Sequence, residues 1–285
     1  MWNWISEPYS LDFMQQALAI GLMVGVSSAV LSCFLILKGW SLMGDAVSHA
    51  VLPGVVLAYL AGIPLLIGAF ITGMLCSIAT GYLSANSRLK EDTVMGVVFS
   101  GLFALGLVMF SKVQPGFDIH HILFGDMLGV IWSDVALAAA VLLPSLLVLL
   151  TFRKDLMVFA FDPEHATVAG LSVRSLHYGL LAALSLVIVA SIKAVGIILV
   201  IAVLIAPGAI SYLLVSRFEH MVWLSIPIAA FSTVAGVTAS YHLNSAPAPT
   251  IVVVLSLLFI AAFLLSPKNG LLRKPTNTSA NSSVS

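Results

Sequence analysis

Charge is what this chain has least of. Only 8% of its 285 residues are Asp, Glu, Lys or Arg, against about 25% in a soluble globular domain. A water-soluble fold is thereby excluded. The 12 acidic and 12 basic residues cancel, so no basic field is available to hold nucleic acid. Cysteine occurs twice, at Cys33 and Cys76 inside apolar stretches; this excludes a disulfide scaffold and reads as two small buried hydrophobes. No Gly-x-x-x-x-Gly-Lys-Ser/Thr loop is present, so the chain does not bind ATP in the usual way. The lack of His-Glu-x-x-His and Gly-x-Ser-x-Gly argues against an intramembrane hydrolase. The first residues lack a basic n-region, so no cleavable signal peptide is expected. Trp2, Trp4, Glu7 and Pro8 read instead as an interfacial aromatic anchor. The ten-residue alternation of a membrane barrel is also missing.

Hydrocarbon is what the chain has in excess, at 60% of its residues. Apolar runs close to twenty residues recur along most of its length, which predicts an all-α, polytopic transmembrane bundle. The candidate spans are 13–37, 40–61, 63–84, 93–111, 131–151, 176–193, 196–215, 221–243 and 250–266. Only Lys193-Ala194-Val195-Gly196 separates the sixth from the seventh, so the count is eight or nine. Pro207-Gly208 inside the seventh predicts a kink or a broken helix. The membrane domain is expected over 1–268, and the Ser-, Thr- and Asn-rich run 269–285 is expected to be a disordered cytoplasmic tail.

Lys and Arg set the expected orientation. With the N-terminus outside, the inner side carries Lys38, Arg88, Lys90, Arg153, Lys154, Arg174, Arg217, Lys268, Arg273 and Lys274, and the outer side only Lys112 and Lys193. That bias of ten to two places the N-terminus outside and the C-terminus in the cytoplasm.

Against this background Asp45 and His49 stand out. Four residues apart on a helix, they share one face. Counted from Trp40 at 1.5 Å per residue, His49 lies roughly 13 Å deep, near the middle of the hydrocarbon. Pro53 has no N–H, which frees the His49 carbonyl as a third polar group at that depth. Two readings stay open: a pair handling a cation or proton, or a polar pair joining two helices. A carboxylate with an imidazole suits manganese, iron or zinc better than copper(I). Two ligands do not complete a divalent shell, but a twofold-related second chain would double them to two Asp and two His.

Two loops carry the remaining signals. The outer one, 112–130, holds Asp118, His120, His121 and Asp126, and is expected to form a short helix on the outer face. Its adjacent histidines cannot face one site, so it reads as an exposed polar loop. The inner one, 153–175, contains a fully punctuated short helix: Asp162 as N-cap, Pro163 in the first position, Glu164 in the first turn and Gly170 just past the end. It is either a docking knob for another protein or a connector. His165, His177, His220 and His242 are scattered near span ends and receive no chemistry.

Several of these segments together are diagnostic. Lys38 to Gly54 (KGWSLMGDAVSHAVLPG), with Phe99-Ser100-Gly101, Ile122 to Asp126 (ILFGD), Gly196 to Val200 (GIILV) and Ala206 to Ala209 (APGA), resembles the permease subunits of bacterial ABC importers for manganese, iron and zinc. The manganese/iron branch of Gram-negative bacteria is the nearest in pattern, and the likeness runs from about residue 10 to 266. The resemblance implies an inner-membrane permease dimerised with a like or paralogous chain, two cytoplasmic ATPase subunits, and a periplasmic metal-binding protein. It implies no resident cofactor and no catalysis by this chain; the ion is cargo. Asp45 and His49 match the family's metal-coordinating pair. Asp162, Pro163, Glu164, His165 and Gly170 match its ATPase-coupling loop. The rival reading is a proton-coupled secondary transporter with Asp45 and His49 as the relay.

Overall fold

The computed structural model describes residues 7–112 and 125–266. The anchor at Trp2 and Trp4, most of the outer loop including Asp118, His120 and His121, and the tail 269–285 lie outside the described residues. A short turn at Pro8–Ser10 leads into α1 (Asp12–Lys38). Then follow α2 (Met43–Ala50), α3 (Leu52–Ala61), α4 (Leu65–Ala85) and α5 (Glu91–Phe110). Beyond the outer loop come α6 (Trp132–Thr151), α7 (Arg153–Phe161), α8 (Pro163–Val168), α9 (Val173–Leu214), α10 (Phe218–Leu243) and α11 (Pro247–Leu265). No strand occurs among the described residues. The expected all-α membrane bundle is borne out.

Among the described residues, eight helices or joined helix pairs are long and apolar enough to cross a membrane. The 42-residue α9 accounts for two crossings. It departs from helical torsions at Gly196 alone, with φ 77° and ψ 166°, a region essentially closed to any side chain. The contacts on either side show that the chain doubles back there. His177 lies edge-on to Trp40 at one end of the bundle, and Lys193 reaches Asp134 at the other. Leu213 then returns to the first end, where its carbonyl accepts from Ser266 Oγ at 2.9 Å. Nine candidate passes therefore result among the described residues, with the sixth and seventh joined by a single-residue reversal. The separation expected at Lys193–Gly196 is borne out, and the further break expected at Pro207-Gly208 is not found in the torsions. Pro207 sits within the returning arm, where Gly208 packs directly on the backbone of Ser32.

Three spans form the interior. α1, the joined pair α2–α3 and α9 are the most buried, and α10 and α11 pack around α1 and α9. By contrast α5 and α11 leave most of their side chains unburied in the single chain. Backbones approach closely where residues are small. At the α3–α4 crossing a Cβ on Gly54 would meet the Gly68 carbonyl and Thr72 Oγ1, and one on Gly68 would meet the Gly54 carbonyl. The Pro-Gly that ends the central motif thus serves helix packing.

The outer loop, where described, is a turn. Gly125 lies against the backbone of Gly196, and Asp126 Oδ1 accepts from the Gly129 N–H at 3.0 Å. Residues 125–131 are not helical, so the expected surface helix does not extend into them.

Candidate functional site

The predicted span 40–61 is not one uninterrupted helix. α2 begins at Met43, and Val51 forms the joint with α3, where Pro53 occupies the first turn. Pro fits there because the opening N–H groups of a helix have no partner to lose. The carbonyl to which another element donates is that of Val51, which accepts from Thr72 Oγ1 of α4 at 3.3 Å.

α2 holds Asp45 and His49 on one face, as their spacing requires. Nε2 of His49 lies 3.3 Å from Oδ1 of Asp45. Neither side chain is sealed: 39% of Asp45 and 29% of His49 remain accessible in the single chain. The helix is fixed from two directions. Gly44 lies against Leu204 on the returning arm of α9, and a methyl there would come within 3.1 Å of it. On the other side, α5 presents Phe103 edge-on to the imidazole at 5.3 Å between ring centres, and Phe99 at 6.5 Å. Ser48 turns inward and donates to the Gly44 carbonyl at 2.7 Å. Nδ1 of His49 is buried with no hydrogen-bond partner among the described residues. The imidazole is therefore held by shape on its Nδ1 side and offers Nε2 to the open side with the carboxylate.

This pair is one oxygen and one nitrogen donor with nothing to complete a shell. Among the described residues, no group of three or more His, Cys, Asp or Glu side chains comes together. Asp126 is engaged in its own turn. His177 lies in an aromatic cluster near Trp40, and His165 lies on α8.

The helix predicted at 162–170 forms as its punctuation required. The Asp162 carboxylate accepts from the N–H groups of Glu164 and His165, both at 3.0 Å. At the far end Leu171 N–H donates to the Ala166 carbonyl and Gly170 N–H to that of Thr167, the paired closure that a left-handed residue permits. Gly170 supplies it at φ 79°. Ala166 is fully buried, whereas Val168 is 86% exposed and Phe161 is 65% exposed. The result is a short helix closed at both ends, with Val168 at its end and Phe161 of α7 just before it both in the open.

Comparison with known proteins fits this architecture. Residues 10–266 match the model of the ABC 3 transport family. The chain belongs to that family. It is 51% identical over 264 residues to the chelated iron transport system membrane protein YfeD of Yersinia pestis, covering 93% of this chain and 89% of that one. It is 48% identical over 271 residues to the manganese transport system membrane protein MntB of a Synechocystis strain, covering 95% and 89%. Among solved structures, PsaBC from Streptococcus pneumoniae in complex with Fab superposes with a TM-score of 0.83 at 37% identity, over 94% of this chain and 96% of that one. A putative metal-chelate type ABC transporter in an inward-facing conformation shares the fold, at a TM-score of 0.66 and 16% identity. The resemblance drawn from the central motif is thus borne out.

Sequence reasoning missed the surroundings of the pair. Phe103 carries no signal that separates it from the other apolar residues of α5, and Leu204 reaches Gly44 only through the reversal at Gly196. The one available hint was the glycine immediately before Asp45, since a missing side chain marks a close approach.

Proposed function

We propose that this family member is the permease subunit of an ATP-driven importer for manganese or iron(II), with zinc as a third candidate. Asp45 and His49 hold the ion in transit, together with the same two residues of a second permease chain. The observation that carries this reading is the geometry of the pair. A carboxylate oxygen and an imidazole nitrogen lie 3.3 Å apart, both partly open and both on one face of α2. An isolated polar pair that only pinned two helices would be enclosed between them. Two donors per chain leave a hard or borderline divalent ion under-coordinated, and a symmetry-related set brings the number to four. The names of the 51% and 48% identical relatives, for chelated iron and for manganese, support that choice of cargo.

The ATP comes from elsewhere. α8 is the surface on which a cytoplasmic ATPase subunit docks, and two such subunits drive the cycle. A periplasmic metal-binding protein delivers the ion at the opposite face. The excess of Lys and Arg at the α8 end of the bundle supports a cytoplasmic position for that end and a periplasmic N-terminus, and membership of the ABC 3 transport family supports the bacterial inner membrane. Nucleotide-driven displacement of α8 closes the outer side and opens the inner one, a two-state element biased by ligand.

The deciding experiment is metal-dependent ATP hydrolysis and uptake by the reconstituted complex, run in turn with manganese, iron(II) and zinc. Asp45→Ala and His49→Ala each abolish uptake while the complex still assembles; uptake that survives both changes places the site elsewhere. Protons compete with metal for imidazole, so equilibrium metal binding weakens on acidification in the wild type. A flat profile removes His49 from the ligand set. Uptake driven by a proton gradient with no ATPase present would overturn the reading as a whole.

A further inference from the structure

We infer that Trp40 is a positioning residue that links the arm bearing α8 to the helix bearing Asp45 and His49. This rests on the metal site and docking surface proposed above, and adds how the one drives the other. Trp40 lies in the short link between α1 and α2, and its carbonyl accepts from the Met43 N–H at 3.0 Å at the start of α2. Asp45 follows two residues later. The indole is 2% exposed. Its ring meets His177 of α9 edge-on at 5.4 Å between ring centres, and His177 meets Phe159 of α7 in the same way at 6.0 Å. The Lys38 ammonium, at the end of α1, sits 4.3 Å from the centre of the Phe159 ring and 6.0 Å from that of Trp40. Phe159 is itself 2% exposed, three residues before Asp162 caps α8. An unbroken run of packed rings therefore leads from α7 to the first turn of α2.

The polar edge of the indole supports a moving part. Nε1 of Trp40 is buried and has no hydrogen-bond partner among the described residues, although buried indole N–H groups usually find one. In this conformation no hydrogen bond from Nε1 holds the ring, so it can shift against His177 without breaking one. A shift of α7 and α8 then reaches α2 as a push through Phe159, His177 and Trp40, and changes the setting of Asp45 and His49. Packed interfaces of this kind have discrete alternatives and do not deform continuously.

The test uses the whole transporter, permease with its ATPases, in proteoliposomes supplied with manganese on its binding protein. Three quantities are read: ATP hydrolysis, manganese uptake per ATP, and equilibrium manganese binding. Trp40→Leu and Phe159→Leu are expected to keep ATP hydrolysis and manganese affinity while uptake per ATP falls about three- to thirtyfold, the span of a coupling change. The double variant is expected to lose no more than the worse single one, and Trp40→Phe, which keeps a ring, to recover most of the loss. Unchanged uptake per ATP in Phe159→Leu, or losses that multiply in the double variant, would overturn the relay. Failure of the underlying site reading looks different: Asp45→Ala and His49→Ala would then transport normally.

Discussion

The α3–α4 crossing permits the sharpest prediction about stability. Replacing Gly54 by Ala adds one methyl where the structure has the Gly68 carbonyl and Thr72 Oγ1 already in place. The Thr hydroxyl can rotate away, but the carbonyl belongs to the α4 backbone and cannot. Carbon needs about 3.5 Å from its neighbours, so the two helices must part by about an ångström or more. Overpacking costs about 1–3 kcal/mol, and a backbone-on-backbone overlap belongs at the upper end, near 3 kcal/mol. Ala gains about 1 kcal/mol over Gly as a helix former. The net is about 2 kcal/mol of destabilisation, roughly a thirtyfold change in the folded-to-unfolded ratio. Gly179→Ala is the matched control: nothing lies within 4 Å of its added methyl, so it keeps only the gain. The assay is reversible unfolding of the purified permease in detergent, both variants beside the wild type. A Gly54→Ala protein as stable as the Gly179→Ala protein would refute the close-crossing argument.

Other changes separate the roles of single residues. Gly196→Ala puts a side chain at φ 77° and ψ 166°, at a cost of about 1–3 kcal/mol, and is expected to lower the yield of folded protein on extraction; an unaffected yield and midpoint would count against the reversal. Asp162→Ala removes the acceptor of two capping bonds, worth about 1 kcal/mol. It is expected to increase proteolytic nicking at 162–171 while the midpoint of global unfolding hardly moves. Asp45→Ala disrupts only a partly accessible pair, worth less than about 1 kcal/mol, so thermal stability should stay near wild type while metal uptake is lost. A large drop in stability would favour a structural role for the pair.

Much of this fold was legible because lipid imposes a simple rule: a backbone that crosses it must be helical and apolar for about twenty residues. Asp45 and His49 could be paired from spacing alone for the same reason, since two ionisable residues in such surroundings are conspicuous. The capped helix at 162–170 was legible because Asp, Pro and Gly act on their own backbone within a few residues. What escaped the sequence depends on contacts between distant segments. The junction at Lys193–Gly196 was legible, but its packing against Gly125 of the outer turn was not, and Pro207-Gly208 looked like a second breaker although the torsions depart from helical only at Gly196. Pro is accommodated at 207 inside the buried returning arm. Pro53 read as freeing a third polar group beside His49, whereas the close contact of the Gly54 backbone with Gly68, fourteen residues on, had no such signal. The aromatic run from Phe159 to Trp40 joins three elements, and no periodicity in any one of them announces it.

The single-residue reversal at Gly196 also limits how the molecule can work. Two long rods hinged without spare chain cannot slip lengthwise past one another: a ratchet of one helical turn, about 5.4 Å, would demand slack that is not there. Any relative motion of residues 173–195 and 197–214 must therefore be a swing about Gly196 and not a slide. Spectroscopic labels on the two arms close to the joint would keep their mutual separation whatever the angle between the arms.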